Sequence, residues 1–181
     1  DPYITIKKEN YRCDLLDTVR ATNYFYPDKL KSLISEKGNP ILKLDNIAPL
    51  NGISDFTAHD AMGDTKATLE LAKIIKNKTN NIWKESISNK SQSFLLQYIS
   101  ENPFCYIDSF FGKIKIYFLS FVGEHPIYKW AICFDLKKDP EEVIKMSDED
   151  LKNYLEKSPK VVKNIKLNKS PLFQSYKFIN H

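Results

Sequence analysis

The chain has 181 residues, of which 42% are hydrophobic and 13% aromatic, and its formal net charge is +4. This composition supports one large or two small packed domains and excludes global disorder. No apolar run approaches the roughly 18 to 20 residues that span a bilayer, and no signal peptide is recognisable, so we expect no membrane partner.

The cysteines indicate the cellular environment of the chain. The charge says little about its binding partner. The three cysteines, Cys13, Cys105 and Cys133, are far apart, and the chain has no Cys-x-x-Cys pair or Cys/His cluster. A zinc site or a disulfide framework is therefore not expected, and a reducing, cytoplasmic environment is. Nearly all of the 27 basic residues are lysines, which also serve to keep a surface soluble, so charge alone is weak evidence for nucleic acid.

The first eighty residues are predicted to be mainly helical. Residues 3–7 favour a short strand, and apolar residues at helical spacing predict a helix over 14–24. A second helix is predicted over 27–38, because a proline stands near its start and a glycine past its end. A third, short helix is predicted over 42–50, ended by an Asn-Gly pair.

The longest helix is predicted to follow Thr57-Ala58-His59-Asp60, which resembles a capping box with Asp in place of Glu, and to run to about Asn77. Asp60 is assigned to capping. The apolar stripe expected to face the core consists of Met62, Leu69, Ala72 and Ile75.

The second half is predicted to be a small β-rich module in the form of a compact barrel. Polar residues over 78–92 indicate a linker with a small amphipathic element around Trp83. Short helices are predicted to begin at Asp139-Pro140 and at Ser147. Aromatic and β-branched residues predict strands over 104–107, 114–122, 130–136 and 160–167, with a turn at Gly112.

His59 and Asp64 are the residue pair with the clearest chemical potential. The carboxylate can hold a divalent cation, and the imidazole can take a proton from an attacking water. Residues five apart on a regular helix lie about 140° apart around its axis, so His59 would have to lie at or before the first turn to share a cleft with Asp64. The structural alternative is an exposed histidine and a solvated helix carboxylate.

Several segments around this pair resemble the bacterial exodeoxyribonuclease I family, in the histidine subgroup of the DEDD exonuclease superfamily. The 58–64 segment, Ala-His-Asp-Ala-Met-Gly-Asp, resembles the third exonuclease motif of that family. Further segments resemble the family in the same order over nearly the whole chain: Asp1-Pro2-Tyr3, Asp14 to Asp17 with Arg20-Ala21, Leu44 to Ile53, Phe110 to Gly112, Phe134 to Leu136 and Leu167 to Lys169 with Pro171.

The resemblance implies an α/β and α+β architecture. Residues 1–80 would be the C-terminal part of a ribonuclease H-like exonuclease domain, and residues 81–181 a linker and an SH3-like β-barrel with a helical insertion. It also implies release of nucleotides from the 3′ end of single-stranded DNA with two Mg²⁺ ions. His59 would be the general base and Asp64 a metal ligand.

One departure from the family pattern is large. The Asp-x-Glu of the first motif and the Asp of the second are not found, and Asp14 and Asp17 match helix positions that follow the second motif. One histidine and one aspartate would hold a two-metal cluster poorly. We therefore expect a catalytically incomplete fragment with little or no nuclease activity of its own.

Other residues give weaker predictions. Arg20 matches a family arginine and could contact a phosphate or pair with a neighbouring carboxylate. His125, in a His-Pro pair of the barrel, is a candidate DNA contact. Aromatic residues could stack bases, although core packing is the favoured explanation because small β modules need aromatic cores: Tyr98, Tyr106, Phe110, Phe111, Tyr117 and Phe118.

Two partners are expected from the resemblance. One is single-stranded DNA. The other is the acidic C-terminal tail of single-stranded DNA-binding protein, on a basic surface formed by Lys84, Lys90, Lys166, Lys169 and Lys177. The chain is expected to be monomeric. A different hypothesis is a non-catalytic module that grips single strands or a protein tail without cutting, and a weaker one is a proofreading or RNA-trimming relative.

Overall fold

A computed structural model describes residues 13–54, 60–88, 91–158, 160–169 and 171–175. Within these ranges no helix is both long and apolar enough to cross a membrane. The described residues form two compact units. The helical unit falls within Arg12–Asn89 and Ile107–Lys115, and the sheet unit within Lys90–Tyr106 and Ile116–His181.

The helical unit contains four helices and one small hairpin in its described part. The helices are α1 Leu15–Phe25, α2 Leu44–Leu50, α3 Ala61–Lys78 and α4 Asn80–Ser88, and the antiparallel strands are β1 Leu33–Ile34 and β2 Pro40–Ile41. Their apolar faces share one core of Val19, Leu30, Ile47, Ala48, Ile53, Ala67, Leu71 and Ile75.

A side-chain cap marks the start of α1, and a glycine follows the end of α2. The Asp14 carboxylate accepts a hydrogen bond from the Leu16 amide at 2.9 Å, which satisfies an otherwise unpaired first-turn donor of α1. Helix α2 ends at Asn51, and Gly52 follows with a φ of +84°, a conformation that costs glycine little. The helices predicted over 14–24 and 42–50 are confirmed. The predicted strand at 3–7 lies outside the described residues.

The helix predicted over 27–38 is wrong. A turn follows Pro27, and the strands β1 and β2 form a hairpin there. Only the first apolar residue of the predicted stripe, Leu30, is buried; Leu33 and Ile34 are exposed. The Asn51 side chain accepts from the Lys31 amide and donates to the Lys31 carbonyl. These bonds satisfy the Lys31 amide and carbonyl, which in a helix would pair with other backbone groups.

Helix α3 agrees with the prediction in extent and differs in its buried face. It buries Gly63, Ala67, Leu71 and Ile75, a run with a constant spacing of four residues. Met62 and Leu69 are 64% and 55% exposed, so of the predicted stripe only Ile75 is fully buried. Small residues at 63 and 67 allow close packing on that side, which a ranking by hydrophobicity alone does not predict.

The structure also corrects the linker predicted over residues 78–92. Most of it is helix α4, which buries Ile82 and Ser86, and α5 Gln92–Glu101 begins directly after it. The amphipathic element expected around Trp83 is thus confirmed as a helix. Its length and the presence of α5 were not predicted, because the many serines and asparagines of the segment are poor helix formers.

Five antiparallel strands form one sheet in the order β6-β5-β4-β3-β7, and the strand residues outside 107–115 belong to the sheet unit. The strands are β3 Phe104–Phe110, β4 Lys113–Glu124, β5 Ala131–Asp135, β6 Val162–Ile165 and β7 Phe173–Ser175. The first four confirm the predicted strands. Strand β7, which pairs with β3, was missed because three residues between prolines and serines give no alternating pattern.

Two short helices interrupt the strands where the sequence predicts them. Helix α6 is Pro140–Ile144, with Asp139 as its N-cap, and α7 is Asp148–Glu156, with Ser147 as its N-cap. The core of the unit consists of Leu95, Ile99, Phe104, Leu119, Ala131, Cys133, Ile165, Leu167 and Phe173. Cys13, Cys105 and Cys133 are free thiols.

Candidate active site

Asp64 lies in the first turn of α3 and is half-buried. The turn is fixed by Asp60, the N-cap, whose carboxylate accepts from the Gly63 amide at 2.8 Å. The Asp60 carbonyl also accepts from the Asp64 amide at 2.8 Å. Asp60 therefore has the capping role predicted for it. Asp64 follows the buried Gly63 and is itself intermediate between buried and exposed.

His59 lies outside the described residues, as does Thr57 of the predicted capping box. The roles of His59 as general base and of Asp64 as metal ligand remain predictions. What the structure adds is the position of Asp64 at a helix N-terminus, where the helix dipole and the free amide groups favour negative charge.

Arg20 is engaged by a carboxylate. Its Nη1 lies 2.6 Å from Asp17 Oδ1, one turn earlier on α1, and both side chains are largely shielded from solvent. Of the two roles left open by the sequence, the structure contains the ion pair; a DNA contact by Arg20 stays a prediction.

The carboxyl of Asp17 lies in surroundings that disfavour its negative charge. Desolvation by burial raises the pKa of Asp17, and the charges of Asp14 and Asp108 add to the effect, while the hydrogen bond and charge of Arg20 oppose it. Arg20 thus opposes the rise in the pKa of this shielded carboxyl. The i, i+3 spacing of the pair was visible in the sequence, but the approach of Asp108 from strand β3 was not.

His125 organises the connection between β4 and β5. Its Nδ1 accepts hydrogen bonds from the amides of Ile127 and Tyr128, both at 3.2 Å. Its ring lies 4.8 Å from the Tyr128 ring and 6.1 Å from the Trp130 ring, centroid to centroid. The predicted DNA contact by His125 is untested, and its observed role is to shape the loop.

The residues suited to a divalent cation are incomplete within the described ranges. Asp64 has the right ligand chemistry, since Mg²⁺ prefers carboxylate oxygens. In the described part of the chain no group of three or more His, Cys, Asp or Glu side chains is placed to hold a metal ion. Asp64 by itself does not make a metal site.

Three comparisons with known proteins bear on this arrangement. The model of the Exonuclease I SH3-like domain matches residues 88–181. Exodeoxyribonuclease I of Buchnera aphidicola subsp. Schizaphis graminum is 35% identical over 119 residues, which is 64% of this chain and 25% of that protein.

Solved structures show the same likeness at the level of the fold. E. coli exonuclease I in complex with a dA16 oligonucleotide matches with a TM-score of 0.77 and 24% identity, over 99% of this chain and 42% of the other. An ExoI/SSB-Ct complex matches with a TM-score of 0.76 and 23% identity, over 99% and 42%. The predicted fold class is confirmed by this match.

The chain spans a quarter to about two fifths of the length of these relatives. The matching domain model covers just over half of the chain and includes every strand of the five-stranded sheet. The chain therefore belongs to the exonuclease I family, whose SH3-like domain it contains.

Proposed function

We propose that this chain is part of a 3′–5′ exonuclease that degrades single-stranded DNA. One observation carries the proposal: a half-buried carboxylate, Asp64, is held at the first turn of α3 by the Asp60 cap. It lies in a chain that shares its fold over 99% of its length with an exonuclease I bound to an oligonucleotide.

The chemical roles follow from residue type. Asp64 would supply one oxygen ligand, and His59 would take the proton of the attacking water, for which a neutral imidazole is suited near pH 7. Two Mg²⁺ ions, when bound, would stabilise the attacking and leaving oxygens of the displacement. Further carboxylates are needed to hold them, and the described residues do not provide these.

We further propose the division into an exonuclease part over residues 1–80 and a linker with the SH3-like domain over 81–181. DNA would contact Arg20 and His125. The acidic tail of single-stranded DNA-binding protein would dock on the exposed lysines Lys166 and Lys169; an exonuclease I has been solved as an SSB-Ct complex. We expect a cytoplasmic monomer.

Substitution of the two predicted catalytic residues tests the proposal. In the complete product of the gene that encodes this chain, Asp64→Asn and His59→Ala should each lower the Mg²⁺-dependent hydrolysis of single-stranded DNA by about 100-fold or more. The matched control is Asp45→Asn, because Asp45 is a first-turn carboxylate of α2 outside the proposed site. Rates that are unchanged by the first two substitutions, or lowered equally by the third, would remove the assignment.

A non-catalytic binding module is the second candidate. The observation that favours it is the sequence from Lys157 to His181, which contains six lysines and no acidic residue. Binding of a single strand in EDTA, without hydrolysis by the complete gene product in Mg²⁺, would select this candidate over the first.

A further inference from the structure

Strand β7 buries a side-chain amide that lacks a hydrogen-bond partner. Gln174 is the central residue of this three-residue strand, and its exposed fraction is 0%. Within the described part of the chain, neither its Nε2 nor its Oε1 has a partner. Burial of such a group disfavours the folded arrangement, because water would hydrogen-bond the same amide in an open chain. Gln174 therefore opposes the packing of β7 onto the sheet.

The position of β7 limits what holds it in place. It lies at an edge of the sheet, so among the described strands it pairs on one side only, with β3. The pairing covers three residues of each strand, from Phe104 with Ser175 to Tyr106 with Phe173. A short edge strand can leave its sheet without breaking the hydrogen bonds between the other strands.

The opposite edge of the sheet does not carry the same cost. Strand β6 also lies at an edge, where it pairs with β5. Its Asn164 is exposed, and the Nζ of its Lys163 lies 4.2 Å from the centroid of the Tyr117 ring. These polar groups reach water or a ring that attracts a cation. In the described residues, an unpartnered buried amide is thus a property of β7 and not of edge strands in general.

Phe173 favours the paired state of β7. Its side chain is 1% exposed, and its ring lies 4.7 Å from the ring of Phe104 and 6.1 Å from the ring of Tyr106, centroid to centroid. Aromatic packing of this kind stabilises the strand against β3. Two adjacent residues of one short strand therefore act in opposite directions, since Phe173 favours pairing and Gln174 disfavours it.

Cys105 is covered by β7 on one side. It pairs with Gln174, so the two side chains lie on the same face of the sheet, and its Sγ lies 3.9 Å from the Ser175 carbonyl oxygen. Cys105 and Cys133 are both fully buried, but Cys133 lies in β5, between β4 and β6. Detachment of β7 would uncover Cys105 and leave Cys133 buried.

We propose that β7 is a releasable edge strand, which detaches from β3 in the folded protein by an opening separate from global unfolding. Gln174 is the cause, because it lowers the stability of the paired state. The opening exposes the Cys105 thiol and the backbone edge of β3 at residues 104–106. A free sheet edge can pair with an extended segment of another chain, so β7 controls when this edge is available. The proposal concerns the sheet alone and is independent of the proposed function.

Thiol labelling measures the opening directly. The folded chain is treated with iodoacetamide, and peptide mass mapping identifies the labelled cysteines. Cys13 is exposed and should react at once. Cys105 should react at least about tenfold faster than Cys133, at a rate that changes little in low urea, because opening of a short strand exposes little surface. The labelling of Cys133 should instead follow global unfolding.

Substitutions in β7 test the cause. Gln174→Met replaces the amide with an apolar side chain of similar size and should slow the labelling of Cys105 by about tenfold. Phe173→Leu removes ring contacts and should speed it by about tenfold. The matched control is Gln92→Met, which changes an exposed glutamine of α5 and should leave the rate unchanged.

Hydrogen exchange of the unmodified chain gives a second measurement, which does not depend on any variant. The amides of residues 172–175 should exchange faster than those of β5. Equal labelling of Cys105 and Cys133 with the same urea dependence, or equal exchange of the two strands, would overturn the proposal, since β7 would then leave only on global unfolding. Labelling of Cys105 in Gln174→Met that is as fast as in the unmodified chain, or slowed equally by Gln92→Met, would show that the buried amide is not the cause.

Discussion

At the scale of single residues, the sequence left two roles open for Arg20, a phosphate contact and an ion pair. The structure shows the ion pair, with Asp17. Both side chains are about three quarters or more shielded from solvent and lie 2.6 Å apart. A partly desolvated carboxylate without its cation would be costly. The ion pair therefore stabilises the folded state, independently of any DNA contact by Arg20.

We predict that Arg20→Gln lowers the free energy of unfolding by about 1–2 kcal/mol at pH 7. Without Arg20 the folded-state pKa of Asp17 moves further above its unfolded value, so stability is lost as pH rises from the unfolded-state pKa to the folded-state pKa. At pH 3 the carboxyl is mostly protonated in both states, and the loss should shrink. Urea unfolding at the two pH values measures this.

The control is Lys73→Gln, which breaks the Glu70–Lys73 pair, also at i, i+3 and 2.6 Å, with both side chains at least half exposed. Solvent screening makes such pairs worth little, so its effect should stay below about 0.5 kcal/mol. A loss for Arg20→Gln that is the same at pH 3 and pH 7 would contradict the electrostatic explanation.

Residues whose role is set by nearby sequence were predictable, and those whose role depends on tertiary contact were not. The cap at Asp60 follows from a short acid placed before an apolar helix. The contact between Lys166 and Trp130 does not, because it forms only through the pairing of β5 with β6. For His125 the resemblance implied a DNA contact, which stays a prediction; the structure shows in addition an imidazole that accepts two hydrogen bonds from its own loop.

At the scale of elements, the Asp60 cap and Asp64 can be separated experimentally. Asp60→Ala removes the acceptor for the Gly63 amide and should lower stability by about 1 kcal/mol, while Asp60→Asn should retain most of it. Asp64→Asn should cost less, about 0.3–0.5 kcal/mol, because it removes a negative charge from the first turn of α3 but no cap. Thermal unfolding of the three variants decides this; an equal loss for Asp64→Asn would assign Asp64 to structure.

The β3–β4 hairpin holds an unusual turn. Phe111 and Gly112 both have positive φ, at +48° and +78°, as a type I′ turn requires. Phenylalanine at such a position is rare, because its Cβ crowds the backbone. The turn at Gly112 was predictable from the glycine, whereas the strained, 88% exposed Phe111 was not.

We predict that Gly112→Ala costs about 1 kcal/mol and that Phe111→Asn gains up to about 1 kcal/mol, since asparagine tolerates the left-handed region. Added Cβ atoms at Gly112 and at Gly123 both meet open space, but only Gly112 has a positive φ. Gly123→Ala is therefore the matched control and should be close to neutral. A loss at Gly123 as large as at Gly112, in denaturant unfolding, would show that backbone conformation is not the cause.

One wrong prediction at this scale has a clear physical origin. The helix predicted over 27–38 rested on proline and glycine at its ends and on three apolar residues. Two of these, Leu33 and Ile34, are exposed, and the hydrogen bonds of Asn51, twenty residues further along the chain, hold the segment at Lys31 instead. Long-range partners of this kind override local propensity.

At the scale of the whole molecule, the order of segments proved more informative than any single motif. The four predicted strands of the second half lie in one sheet, and the fold match extends over 99% of the chain. The domain boundary at 80/81 stays a prediction. Asp64 lies in the helical unit, and the matching SH3-like domain covers every strand of the five-stranded sheet.

The direction of hydrolysis is the measurement closest to the central claim. The complete gene product, incubated with Mg²⁺, is given the same single strand labelled at either its 3′ or its 5′ end. We predict immediate release of the 3′ label as a mononucleotide, delayed release of the 5′ label, and a rate at least about 100-fold lower for Asp64→Asn. Release of the 5′ label first, or equal rates for wild type and Asp64→Asn, would contradict the account.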